Sequence, residues 1–145
     1  MNPSDAVLKE ILQKSKNVAV VGLSPKPHRD SHKVAVYLQQ HGYRIVPVYP
    51  REEFILGEKV YRGLAEIPIR IDVVNVFRRS DEVLPVVIDA IRLHPRAIWL
   101  QLGIVNEEAI PLCRDAGVTL VMNTCIMVEH RRLFGFHDER CTRTT

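Results

Sequence analysis

The sequence has no apolar run long enough to cross a bilayer. Its longest such stretch, Val18 to Leu23, is strand-sized, whereas a spanning helix needs about 20 residues. The start, Met1-Asn2-Pro3-Ser4-Asp5, lacks a basic region followed by an apolar stretch. No secretory signal is expected, and a cytoplasmic location is. Cysteine is scarce. Cys113, Cys125 and Cys141 are an odd number at wide spacings, which fits neither a disulfide framework nor a paired-cysteine zinc site. Internal repeats and low-complexity linkers are absent. Aromatics make up only 6% of the residues, so stacking platforms for nucleic acid are few. Nucleic acid and membrane are therefore not expected partners.

What is present suits one globular domain. The 145 residues are about one domain's worth at roughly 150 residues per domain. The composition is 46% hydrophobic and 26% charged, with a net charge of +3, too apolar and too weakly charged for a disordered chain. The length supports a core without disulfide or metal staples. A single domain over 1–145 is expected, with a loose polar tail over 134–145.

Ser4 or Asp5 can cap a first helix that carries Val7, Leu8, Ile11 and Leu12 on one face. Val18-Ala19-Val20-Val21 follows as a continuous apolar run, the pattern of a strand buried on both faces of a parallel sheet. Helical spacing returns from Asp30 to His41 and stops at Gly42. Further strands are expected at Tyr43–Val48, Ile71–Phe77, Ala97–Leu100 and Val118–Val121. Pro47 is tolerated best near an edge. Ser80 and Asn106 are expected to cap two more helices, and a last helix is expected from Cys125 to Leu133. Strands alternating with helices predict a Rossmann-like, doubly wound α/β sheet of about five parallel strands with helices on both faces. The expected strand order is 3-2-1-4-5.

In such sheets a ligand binds beyond the carboxyl ends of the strands, where the order reverses. The loop after the first strand holds Gly22, Leu23, Ser24, Pro25, Lys26 and Arg29. A glycine, a hydroxyl and two cations before a helix start make a site for an anion; the other reading is a rigid turn with solvated charges. The loop is neither G-x-G-x-x-G nor a P-loop. The second strand ends in Val48, Tyr49, Pro50 and Arg51. An NAD site would place an acid here. Tyr49 and Pro50 instead offer an apolar ledge for an adenine, and Arg51 can pair with a ribose phosphate, as in NADP or coenzyme A. Phe77, Arg78 and Arg79 follow the third strand, Gln101 the fourth, and Cys125 and Met127 the fifth. Cys125 is open to two readings, an activated thiol if exposed or an inert buried one.

Together, Val21-Gly22-Leu23-Ser24-Pro25-Lys26-Pro27, Val46-Pro47-Val48-Tyr49-Pro50-Arg51 and Asn123-Thr124-Cys125-Ile126-Met127-Val128-Glu129-His130 carry a resemblance. The chain resembles the stand-alone CoA-binding proteins, whose fold is similar to the amino-terminal domain of the succinyl-CoA synthetase alpha subunit. The resemblance implies coenzyme A, or an acyl-CoA, across the strand ends. Gly22, Ser24, Pro25 and Arg29 would hold the pyrophosphate. Val48, Pro50 and Arg51 would meet the adenosine and its phosphate. Phe77, Arg78 and Gln101 would line the middle of the groove, and Cys125 and Met127 the pantetheine path. Family members often have Asn or Thr at the position of Tyr49 and Lys at that of Arg51.

Catalytic patterns are missing. There is no G-x-S-x-G elbow and no H-E-x-x-H around His28 and His32. The expectation is a binding module without its own chemistry. Alternatives are an NADP-binding reductase-like domain, or a subunit acting with a partner in acyl-CoA ligation or transfer. A homo-oligomer is left open.

Overall fold

Two helix starts are set by a local hydrogen bond from a side chain that the sequence supplies, Ser4 before the first helix and Asn106 before the fourth. The structure, a computed structural model, describes residues 2–135. Ser4 caps α1 (Asp5–Lys14): its hydroxyl accepts the Val7 N–H at 3.3 Å, and Leu8, Ile11 and Leu12 are buried. The chain then builds β1 (Asn17–Val21), α2 (Asp30–Gln40) and β2 (Arg44–Val48). A short antiparallel hairpin follows, β3 (Phe54–Ile55) and β4 (Glu58–Lys59). Its turn residues, Leu56 and Gly57, both have positive φ, as a two-residue hairpin of this hand requires. After a single turn at Leu64–Glu66 come β5 (Val73–Val76), α3 (Val83–Ile91), β6 (Ala97–Leu100), α4 (Ala109–Ala116), β7 (Thr119–Val121) and α5 (Ile126–His130).

The five long strands are parallel and form one sheet in the order β2-β1-β5-β6-β7. The doubly wound α/β class is as expected, but the order is not. Counted among the parallel strands it is 2-1-3-4-5, not 3-2-1-4-5. The reason lies at the outer edge of β2. Tyr61 pairs there: its N–H donates to the Pro47 carbonyl at 3.0 Å, and its own carbonyl accepts the Tyr49 N–H at 3.0 Å. That edge is taken, so β5 pairs on the other side of β1. Pro47 thus sits in the outermost parallel strand, where a missing donor is tolerated.

The alternation of side chains sorts the core into two layers. Val18, Val20, Ile45, Val73 and Trp99 pack under α1, α2 and α5. Ala19, Val21, Val46, Val74, Ile98 and Leu100 pack under α3 and α4. Asn106 caps as expected, its Oδ1 accepting the Ala109 N–H at 3.1 Å. Ser80 does not cap α3. It starts a short 3-10 turn, and its hydroxyl instead accepts the Val105 N–H at 3.0 Å, tying two loops together. After α5 a π-helical turn runs over Arg131–Gly135, with Phe134 packed on the core. Phe134 and Gly135 are therefore part of the fold rather than of a loose tail. The rest of that expected tail, 136–145, lies outside the described residues, as does Cys141.

Candidate functional site

The order reverses between β1 and β5, because the chain leaves β1 for α2 on one face and β5 for α3 on the other. Two clefts meet at the carboxyl ends of these strands. One, of ≈ 520 Å³, is lined by Gly22, Ser24, Lys26, Arg29, Tyr49 and Phe77, among others. The second, of ≈ 530 Å³, is lined by Phe77, Arg78, Gln101, Leu102, Cys125 and Met127, among others. Phe77 and Asp30 belong to both, so the clefts adjoin. Either volume is that of an ordinary small-molecule site.

The first cleft is built around a glycine that nothing else can replace. Gly22 has φ +86, and its N–H donates to the Val48 carbonyl at 2.9 Å. The Phe77 N–H donates to the Val21 carbonyl at 2.9 Å, which draws the β5 exit against the β1 exit. The loop beyond is braced from α2. Ser31 accepts the Ser24 N–H on its hydroxyl at 3.0 Å, and His32 donates from Nδ1 to the Ser24 carbonyl at 2.9 Å. The Ser24 hydroxyl accepts the Lys26 N–H at 3.1 Å. Arg29 occupies the cap position of α2 without a side-chain cap bond, and the His32 N–H already donates to its carbonyl at 3.1 Å, so the Asp30 and Ser31 N–H groups are the ones left for an anion.

The cations in and around the clefts are not spent on the protein. Lys26, Arg29, Arg51 and Arg78 form no ion pair among the described residues. The acids Glu52 and Glu53, which follow Arg51 directly, therefore leave its charge free. Arg79 is different: it pairs with Asp81 at 3.2 Å and Glu82 at 3.9 Å, and this contact raises its pKa further. Arg78 carries an orphan, because its Nε is buried without a partner among the described residues. Asp30, at the start of α2, contributes one carboxylate to the shared wall.

Of the expected site residues, the structure brings Gly22, Ser24, Arg29, Tyr49, Phe77, Arg78, Gln101, Cys125 and Met127 to the two clefts. Leu23 and Val48 are corrections. Leu23 is 0% exposed and packs under α2, and Val48 is 3% exposed and packs on the opposite layer. Only their backbone can meet a ligand. Pro25 is half-buried, Pro50 and Arg51 are exposed, and none of the three lines a cleft. The Tyr49–Arg51 turn is instead held by a residue the sequence did not single out. Arg62 Nη1 donates to the Tyr49 carbonyl at 3.1 Å and the Arg51 carbonyl at 3.0 Å. Ser31 and Arg62 had no motif to announce them, since each acts on the backbone of a neighbouring loop. Cys125 is half-buried, packing partly on the core and lining the second cleft, whereas Cys113 is 1% exposed and burial pushes its thiol up to about 11.

Comparison with known proteins agrees with this geometry. A family model described as a CoA binding domain matches residues 16–131. The uncharacterized protein YneT of Bacillus subtilis (strain 168) is 46% identical over 129 residues, 89% of this chain and 96% of that one. A hypothetical protein from Pyrococcus horikoshii OT3 superposes with a TM-score of 0.88 at 40% identity, over 92% of this chain and 94% of that one. A dinucleotide-forming acetyl-coenzyme A synthetase from Ca. Korarchaeum cryptofilum shares the fold, with a TM-score of 0.70 at 24% identity over 79% of this chain and 27% of that one. The clefts at the switch point, the glycine that opens the β1 loop and the match over 16–131 lead to one conclusion: this chain belongs to the CoA binding domain family.

Proposed function

We propose that this protein binds coenzyme A or an acyl-CoA along the two adjoining clefts and has no chemistry of its own. The observation that carries the reading is the division of labour between the clefts. The first gathers Lys26, Arg29 and the uncapped start of α2, which suits a pyrophosphate. The second is lined by Val34, Leu102, Ile104, Met127 and Val128 together with Asp30, Lys33, Arg78 and Arg79, which suits an apolar arm that carries polar groups. Phe77 stands between them.

The residues fit such a ligand on two further counts. Only a glycine lets the β1 and β5 exits close up beside the cleft, because a Cβ on Gly22 would meet the Phe77 carbonyl, and the buried Arg78 Nε asks for an acceptor that the described residues do not supply. Arg51, exposed beside Tyr49 and without an ion pair among the described residues, is assigned the phosphate on the ribose. Tyr49 and Pro50 flank the adenine in this reading, and Cys125 and Met127 lie along the arm.

Titration calorimetry with CoA, dephospho-CoA and NADP tests the proposal. CoA is expected to bind tightest and dephospho-CoA more weakly. Tighter binding of NADP than of CoA would favour the reductase-like alternative and overturn the reading.

A further inference from the structure

Asn75 is the odd residue in the core. It stands on β5 between Val74 and Val76 and is 0% exposed. A buried amide is costly unless its groups are paired, yet its Oδ1 has no partner among the described residues. Its Nδ2 is used: it donates to Gln101 Oε1 at 3.1 Å, and at 3.4 Å to the Trp99 carbonyl. The same Gln101 Oε1 accepts the Ile126 N–H at 3.0 Å. A backbone N–H only donates, so this contact decides which end of the Gln101 amide points inward. Gln101 is 5% exposed, yet it lines the second cleft. Its Nε2 donates to no described residue. Two donors hold the oxygen, and the NH2 group is what remains for the cleft.

We propose that Gln101 reads a carbonyl oxygen of the bound ligand, and that Asn75 is the positioning residue that holds its amide for the purpose. The inference rests on the CoA reading and deepens it. A pinned NH2 group among Leu102, Ile104 and Met127 is satisfied by an acceptor and by nothing apolar. Strands in a sheet lie about 4.8 Å apart, and Gln101 follows β6, two strands from β1, so it stands roughly 10 Å from the Gly22 loop. That is beyond a pyrophosphate held at Gly22 and along the pantetheine arm. The arm carries two amide carbonyls, and an acyl thioester adds a third. The shared chemistry is a carbonyl acceptor, and the test separates its sources.

Calorimetry on the full chain and on Gln101→Glu, Gln101→Met and Asn75→Leu uses three ligands: adenosine 3′,5′-bisphosphate, which lacks the arm, CoA, and acetyl-CoA. Glu keeps an inward acceptor and removes the donor; Met removes the amide without adding charge. Both Gln101 variants are expected to weaken acetyl-CoA, with or without CoA, by about 10-fold or more and leave the bisphosphate unchanged. Asn75→Leu is expected to weaken CoA by about 3-fold with the same split between ligands. Equal penalties on CoA and acetyl-CoA assign the amide carbonyls, and a penalty on acetyl-CoA alone assigns the thioester. Equal losses on all three ligands, or no loss on any, overturn the role of Gln101 while leaving wild-type CoA binding intact. Failure of the wild-type chain to bind CoA at all overturns the binding proposal itself, and this inference with it.

Discussion

A Cβ on Gly22 would lie 2.5 Å from the carbonyl oxygen of Phe77. The two residues directly follow neighbouring strands, β1 and β5, and Phe77 lines both clefts while Gly22 lines the first. Gly22 also has φ +86, a conformation that costs other residues on the order of 1–3 kcal/mol. Gly22→Ala therefore meets both backbone strain and a clash with backbone that has little room to move. Chemical unfolding is expected to show a loss of at least about 1–3 kcal/mol, and calorimetry a loss of CoA binding. An alanine variant of native stability would contradict the contact.

Arg51 has no ion-pair partner among the described residues, so its substitution disturbs little else. Arg51→Ala is expected to leave thermal stability within about 0.5 kcal/mol, as for most surface changes. It should weaken CoA while leaving dephospho-CoA unaffected, so that the two ligands bind alike. A variant that still discriminates between them would remove Arg51 from the phosphate.

The two described thiols should differ in reactivity. Cys113 is buried and its pKa is pushed up to about 11 by that burial, while Cys125 lines the second cleft. In a Cys141→Ser background, a small alkylating reagent is expected to modify Cys125 well before Cys113. Added CoA should slow that reaction. Peptide mapping by mass spectrometry reads both results, and labelling of Cys125 unchanged by saturating CoA would argue against an arm in the second cleft.

Asp72 ties the starts of β1 and β5 together. Its Oδ2 accepts the Lys16 N–H at 2.9 Å and the Asn17 N–H at 3.0 Å, and Oδ1 meets Arg70 at 3.4 Å. Burial works against its ionisation, but the two N–H groups and Arg70 outweigh burial and hold the carboxyl below its usual range. A lowered folded-state pKa means that the ionised form stabilises the fold. That contribution is complete above the unfolded pKa of about 3.9 and fades as pH falls through the lower folded-state value. Asp72→Asn is expected to cost about 1–3 kcal/mol at neutral pH, with the gap to wild type narrowing below about pH 4. Unfolding curves measured at several pH values check it, and a gap that stays constant into acid would contradict the assignment.

Much of this protein can be read from local patterns. The apolar runs at Val18–Val21 and Ala97–Leu100 are strands buried on both faces. Gly117 stops α4 at φ +72, and Ser4 and Asn106 cap as their positions suggest. The loop from Gly22 to Arg29 and the residues Phe77, Arg78 and Gln101 were legible as strand ends, and strand ends are where such sheets bind. What was misread has one source. Leu23 and Val48 sit inside the right loops, but neighbours remote in sequence turn their side chains into the core.

The sequence alone determined the alternation of strands and helices, the number of parallel strands and the segments that follow the strand ends, because hydrophobic period, caps and glycines act over a few residues. Tertiary structure alone decided the strand order, because Tyr61 occupies the outer edge of β2 and sends β5 to β1. It alone decided that Arg79 pairs with acids while Arg78 keeps a buried Nε without a partner among the described residues. It also turned a lone glutamine into a directed donor, because Asn75 and the Ile126 N–H, 26 and 25 residues away along the chain, meet on one oxygen. Contacts of that kind depend on which strands become neighbours, and no local pattern carries that information.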